Sequence, residues 1–354
     1  MNVLLLGGTG AMGVHLTEIL AENGHNVYVT SRSKKKDSEK VKYIHGNAHD
    51  EEFFSELLGS YWDVIVDFMV YNTSGFQSRI DDLLKSTNQY IYLSSARVYA
   101  DSEKPIIESS PRLLDKITDN AYLNTDEYAL SKARQENILF RSGKSNWTII
   151  RPYITYSESR LQLGVLEKED WLYRACNYRP INFSKNILSK CTTLTYGYDV
   201  ALGIAAIVGV NRAFGEAFHI TSPYTIYWQE VLNVYKSVLK EKLGVKVQCH
   251  LEDNDDFVNH HKNKYQIEFD RLYNRKFDNT KISKFINVNT FRRPEEGLIE
   301  CLHEFLKSPC FLSINWEKEA IKDKNASVYT NPLEISGLKN KAKYIYYRFN
   351  GKTK

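Results

Sequence analysis

The chain opens with Asn2-Val3-Leu4-Leu5-Leu6, apolar from its second position onward and cut off by Gly7-Gly8. An unbroken apolar run of that length, ended by glycine, predicts a parallel strand buried on both faces. Residues 11–23 switch to helical spacing and stop at Gly24. The alternation then repeats. Strands are expected at 27–30, 43–45, 63–70, 90–94, 147–151 and 218–221, with helices at 51–58, 80–85 and 127–141. A helix at 199–208 would take Asp199 as its N-cap. Another, at 225–243, would end at Gly244. Alternation of this kind predicts an α/β fold, a doubly wound parallel sheet of Rossmann type with right-handed crossovers.

The alternation lapses from about 155 to 195 and again after 222. The expected division is therefore a Rossmann domain over 1–155 plus 190–222 and a smaller, C-terminal substrate-binding lobe over 156–189 plus 223–312. Residues 313–354 are rich in Lys, Asn and Tyr, show no period, and read as a surface extension.

Composition narrows the classes. The 354 residues are 42% hydrophobic and 25% charged, an ordinary globular balance with enough apolar content for a full core. A net charge of +4 without a basic stripe argues against a dedicated nucleic-acid binder. Five cysteines, at 176, 191, 249, 301 and 310, form no CxxC and predict a reduced, intracellular protein. The N-terminus carries no basic leader, and the longest apolar stretch, 200–210, is too short to span a bilayer. A cytoplasmic location and no membrane partner are expected. His45, His49, His260 and His261 lack carboxylate or thiol neighbours at ligand spacing, so no metal is expected.

The first chemical signal is the segment Gly7-Gly8-Thr9-Gly10-Ala11-Met12-Gly13, which follows the first strand directly and opens the first helix. Gly7 permits the tight turn, Gly10 lets a backbone approach a pyrophosphate, and Gly13 allows the helix to pack close to the sheet. Thr9, Ala11 and Met12 complete the loop, and the helix N-terminus faces the phosphates with its dipole. A dinucleotide is therefore the expected cofactor. At the end of the second strand, where an NAD site often places Asp or Glu, the chain has Ser31-Arg32 followed by Lys34-Lys35-Lys36. A guanidinium there suits a 2′-phosphate, which favours NADP over NAD.

The second signal is Tyr128-Ala129-Leu130-Ser131-Lys132 inside a predicted helix, which puts Tyr128 and Lys132 on one face. A nearby ammonium stabilises a phenolate, so the phenol can exchange a proton with a substrate oxygen. Ser95 ends the fifth strand at the carboxyl edge of the sheet, where open α/β sheets bind ligands, and its hydroxyl can hold that same oxygen.

With these pieces in place the chain resembles the extended short-chain dehydrogenase/reductase superfamily, the NAD-dependent epimerase/dehydratase family. The matching segments are GGTGAMG at 7–13, LSSARVYA at 93–100, YALSK at 128–132, RPYITY at 151–156, YGYDVA at 196–201 and FDNTK at 277–281. The resemblance implies nicotinamide use, Ser95/Tyr128/Lys132 chemistry, and a nucleotide-sugar as the small-molecule substrate. It also implies cofactor contacts at Asn47-Ala48, at Phe68-Met69 and at Pro152, a ribose contact from Lys132, and a homodimer. The family's 4,6-dehydratases carry an Asp-Glu pair where this chain has Ala96-Arg97, and decarboxylating members place Glu there. Epimerase or ketoreductase chemistry remains. Asp67-Phe68-Met69-Val70 replaces the family's HxAA, a compression similar to that of the plastid stem-loop-RNA-binding branch, and Ile154 stands where nucleotide-sugar enzymes have Asn.

For the substrate, Arg97 lies two residues past Ser95, and Arg271 and Arg275 precede the last motif; a diphosphate would want such groups. Two other readings compete with the sugar enzyme: a reductase of a non-nucleotide carbonyl compound, and a non-catalytic Rossmann protein that binds RNA.

Overall fold

The computed structural model of the chain describes residues 1–253, 257–258 and 263–350; His260 and His261 lie outside them. Seven strands form the central sheet: β1 (Asn2–Leu6), β2 (Asn26–Ser31), β3 (Val41–His45), β4 (Trp62–Asp67), β5 (Thr87–Leu93), β6 (Trp147–Pro152) and β7 (Glu216–Ile220). Their order is β7-β6-β5-β4-β1-β2-β3, and every pair is parallel. The chain thus winds outward from β1 in both directions, the Rossmann arrangement, and the carboxyl ends of β1, β4 and β5 lie side by side.

Successive side chains of a strand point to opposite faces, so each central strand must be apolar throughout. Val3 and Leu5 pack with Leu16, Leu20, Val200 and Ile204 on one face. Leu4 and Leu6 pack with Phe54, Leu83 and Leu139 on the other. Each such leucine, fully buried, contributes about 2 kcal/mol.

Several expected boundaries shift for local reasons. The first helix spans Gly13–Glu22, not 11–23, because residues 7–12 form the loop itself. β4 stops at Asp67 rather than running to 70, since the Asp67 carboxylate accepts from the Met69 amide at 2.9 Å and turns the chain. Asp199 is not an N-cap: the helix is Gly197–Ala205, preceded by Tyr196. The Asp199 carboxylate instead accepts from the Arg292 amide at 2.8 Å. The later helix starts at Trp228 and ends at Leu243, where Gly244 takes φ +65°, open to a residue without Cβ.

Two compact units emerge. The first comprises Met1–Ser157, Thr193–Thr225 and Arg275–Pro294, and the second Glu158–Thr192, Ile226–Asn274 and Glu295–Lys354. Two expectations are corrected. Residues 275–294 belong with the Rossmann unit rather than the lobe: the Arg275 carbonyl accepts from Thr193, and Ile282, Val288 and Phe291 join the core of the sheet. Residues 313–354 are not a separate extension. They form the helices Trp316–Asn325 and Leu338–Asn350 within the second unit. Arg174 binds both Glu319 and Asp323 at 2.8 Å there, and Trp316, Ala320, Ile335 and Tyr344 make a small core.

Candidate functional site

The glycine loop leaves β1 at Gly7, whose φ of +70° a side chain would strain. Its amide donates to Thr30 Oγ1 at 2.8 Å, and the Thr9 amide donates back to the Gly7 carbonyl at 2.9 Å. Gly13 starts the helix against Gly8: a Cβ at position 13 would lie 2.6 Å from the Gly8 carbonyl. A Cβ at Gly10 would meet open space instead. The loop therefore combines a tight seam with one open flank; the helix ladder begins at once, with the Val14 amide donating to the Gly10 carbonyl at 3.1 Å. These residues fit a pyrophosphate. Met12 packs on the core beneath, the Ala11 carbonyl faces Gly197, and the sulphur of Met69 lies over Gly7. Phe68 is half-buried and continues the β1 ladder through its amide, 2.9 Å from the Leu6 carbonyl.

At the end of β2 the Ser31 hydroxyl is spent inside the turn, donating to the Ser33 carbonyl at 2.8 Å, while Arg32 is exposed. After β3, Asn47 is exposed and its side-chain oxygen accepts from the His49 amide at 3.2 Å. Ala48 is buried, and its carbonyl accepts from Arg79 at 2.6 Å. Burial, then the positive charges of Arg79 and Arg32, push the His49 pKa below the usual histidine range. This corner is electropositive.

The acid–base residues come from two elements. Ser95 follows β5 and is buried; its Oγ accepts from the Arg97 amide at 3.2 Å, capping the short turn Ala96–Val98. Tyr128 is the first residue of the helix Tyr128–Phe140, whose N-cap Glu127 accepts from the Ala129 amide at 2.8 Å. The residue is 37% exposed, enough to meet a ligand. One turn on, Lys132 is buried, and its Nζ donates to the Leu93 carbonyl at 2.7 Å. That Nζ lies 4.6 Å from the Tyr92 ring centroid and 5.9 Å from that of Tyr128. Burial pulls the Lys132 pKa down to about 8, and the charges of Asp67 and Glu136 hold it from falling further. A second cation approaches the same phenol: the Arg97 guanidinium is 5.4 Å from the Tyr128 ring and binds Glu127 at 2.6 Å. β5, the turn after it and one helix thus bring Ser95, Arg97, Tyr128 and Lys132 together at the carboxyl edge.

Sequence reasoning missed the two carboxylates behind this group. Asp67 is buried and accepts from the Met69 amide at 2.9 Å, Tyr90 Oη at 2.8 Å and Tyr71 Oη at 3.5 Å. Burial raises its pKa above the usual carboxylate range. Glu136 takes two bonds from Arg151, at 2.7 and 2.8 Å, one from Arg112 at 3.2 Å and one from Ser94 at 2.6 Å. A signal for Glu136 existed, since 128, 132 and 136 share one helix face.

Two proposed substrate arginines are engaged elsewhere. Arg275 is wholly buried and donates to the carbonyls of Tyr99 and Ala100 at 3.0 and 2.9 Å. Arg271 is buried in the second unit, bound to Asp270 and, at 3.0 Å, to the Gly164 carbonyl. Both are corrected from substrate contacts to internal clamps, because a guanidinium buried without such partners would be costly. Pro152 ends β6 beside Ile220 of β7. Two residues on, Ile154 has φ +27°, a conformation that crowds a β-branched side chain. Among the described residues no cluster of His, Cys, Asp and Glu could hold a metal ion, and no helix is long and apolar enough to cross a membrane.

Residues 7–173 match a family model described as NAD(P)H-binding. The chain is 27% identical over 238 residues to the chloroplast stem-loop binding protein of 41 kDa b from Arabidopsis thaliana, a match covering 62% of this chain and 58% of that protein. Among solved structures, Epimerase Mth375 from Methanothermobacter thermautotrophicus aligns with a TM-score of 0.67 at 18% identity, over 86% of this chain and 92% of its own. UDP-glucuronic acid 4-epimerase from Bacillus cereus, in complex with NAD, aligns at 0.63 and 15% identity, over 88% of this chain and 100% of its own. At these identities the likeness is one of fold.

Proposed function

From the NAD(P)H-binding family match over residues 7–173 and the fold shared with NAD-dependent epimerases, we propose that the chain belongs to the extended short-chain dehydrogenase/reductase superfamily and is an NAD(P)-dependent epimerase or ketoreductase acting at a hydroxyl or carbonyl carbon of a nucleotide-activated sugar. The observation that carries this reading is the pairing of a buried ammonium, Lys132, with the half-exposed phenol of Tyr128 beside Ser95. The glycine loop and Lys132 would hold the dinucleotide, which supplies hydride acceptance and return when bound. Tyr128 gives or takes the proton at the substrate oxygen. Lys132 and Arg97 stabilise negative charge on that phenol. Ser95 Oγ accepts from the Arg97 amide, which leaves its own proton to donate to the substrate oxygen. Arg97 stands where an elimination enzyme would need a carboxylate, so dehydration is not part of the proposal.

The exposed guanidinium of Arg32 at the end of β2 supports NADP as the preferred cofactor. Arg32→Ala should then weaken NADP binding about tenfold and leave NAD binding nearly unchanged. The nucleotide-sugar class takes support from the likeness to UDP-glucuronic acid 4-epimerase. Ile154, in place of the family's Asn, favours the alternative of a non-nucleotide carbonyl substrate; a tightly retained cofactor in the purified protein would point back to an epimerase.

The test is a thermal-shift screen of NAD, NADP and a panel of nucleotide-sugars, followed by turnover of the stabilising substrate. Tyr128→Phe should lower turnover by about 10²- to 10⁴-fold while cofactor binding persists. Unchanged turnover in that variant would refute the proposal. A second reading, RNA binding by a Rossmann protein, takes its support from the stem-loop binding relative. It predicts stem-loop affinity with a steep salt dependence and indifference to Tyr128→Phe.

A further inference from the structure

The helix Leu338–Asn350 packs against the helix Trp316–Asn325 through one face only. Tyr344 and Arg348 are buried on that face. The Tyr344 hydroxyl donates to Asp323 at 2.6 Å, and the Arg348 guanidinium donates to the Val328 carbonyl at 3.3 Å and covers the Tyr329 ring at 4.2 Å. The opposite face is apolar and bare. Leu338, Ala342, Ile345 and Phe349 follow one another at spacings of four, three and four, which stacks them in one stripe. Leu338 is 86% exposed, Ile345 58% and Phe349 65%, and Tyr346 at its margin is 58% exposed. Lone exposed apolar residues are ordinary, but three large ones aligned on one helix with a fourth at the margin mark a contact surface.

The charges beside the stripe say what would cover it. Lys341 lies along one side and Lys339 and Lys343 along the other, and no Asp or Glu occurs between 338 and 350. A second copy of the helix would set lysines against lysines along both margins. A nucleic acid would meet the lysines but leave the apolar stripe in water. An anionic lipid surface satisfies both: acyl chains receive the stripe and headgroups receive the ammonium groups. At about 1.5 Å per residue the helix is roughly 20 Å long, suited to lying in the interface rather than crossing it.

We propose that the face formed by Leu338, Ile345, Tyr346 and Phe349, flanked by Lys339, Lys341 and Lys343, docks the protein on an anionic membrane surface. The chain is then a peripheral membrane protein, which departs from the expectation of no membrane partner.

The experiment is co-sedimentation of the full chain with vesicles of phosphatidylcholine alone and of phosphatidylcholine mixed with phosphatidylserine. Binding is expected only to the mixed vesicles and should fall as salt rises. Ile345→Glu/Phe349→Glu should weaken it about tenfold or more at an unchanged melting temperature, because the side chains are already in water. Lys339→Glu/Lys343→Glu should do the same by reversing the charge. The proposal falls if the full chain ignores anionic vesicles or binds both kinds equally. It also falls if either double variant binds like the parent. Loss of a solution dimer in the Glu variants without vesicle binding would assign the stripe to a second copy and overturn it. Loss of RNA binding without vesicle binding would overturn it as well.

Discussion

Asp67 and Glu136 are both buried carboxylates whose charge acts on Lys132, yet they are held in opposite ways. Glu136 is gripped by the guanidinium of Arg151, by Arg112 and by the Ser94 hydroxyl. Asp67 meets only neutral donors: one amide and two phenols. A buried carboxylate between guanidinium groups is a structural tie. One that faces neutral donors has its charge opposed by burial and favoured by a nearby ammonium. Lys132 therefore has one carboxylate neighbour tied to guanidinium groups and one whose charge burial opposes.

Glu136→Gln should break the comparison most strongly. It strips Arg151 of its carboxylate inside the core and should cost about 3–5 kcal/mol by urea unfolding. A cost below about 1 kcal/mol would mean that Glu136 is no anchor. Next comes Lys132→Met. The folded pKa of Lys132 is lowered to about 8 from 10.5, so between those pH values the unfolded chain holds more protons than the folded one. Parent stability relative to the variant should therefore rise through that window, by about 3 kcal/mol at most. A flat difference from pH 7 to 11 would show that Lys132 is not desolvated. Asp67→Asn is a smaller change, about 1–2 kcal/mol. The raised pKa of Asp67 means that the folded state binds its proton more tightly. The stability of the parent relative to the variant should fall as pH rises above the ordinary carboxylate range, opposite in sign to Lys132. The smallest effect is Ser94→Ala, which removes one hydrogen bond to Glu136 and should cost about 1 kcal/mol.

Much of the Rossmann unit was legible because its chemistry depends on backbone and strand ends. Glycine at 7, 10 and 13 has few other uses in that spacing, and a parallel strand announces itself as an unbroken apolar run. Ser95, Tyr128 and Lys132 followed from the end of one strand and one turn of helix. The carboxylates were harder. Asp67 looks like the polar end of an apolar run, and only the β4–β5 register brings Tyr90 near it. Arg271 and Arg275 were misread because a linear pattern does not distinguish a cation that faces ligand from one clamped to carbonyls. The helices after 313 escaped notice for a related reason. Their buried positions include Glu319, Lys322 and Asp323, which contact Arg174 and one another, so the inward face carries no hydrophobic period.

The seam between Gly8 and Gly13 has no intermediate setting. A single methyl at residue 13 would collide with main chain, which cannot swing aside as a side chain can. Elsewhere in the sheet a poor fit can be absorbed by a neighbour of a different size. Here the tolerance is zero, so drift in the surrounding core must be accommodated without ever reaching these two positions, and an engineer who wishes to reshape the cofactor cradle has to begin from its open flank at Gly10.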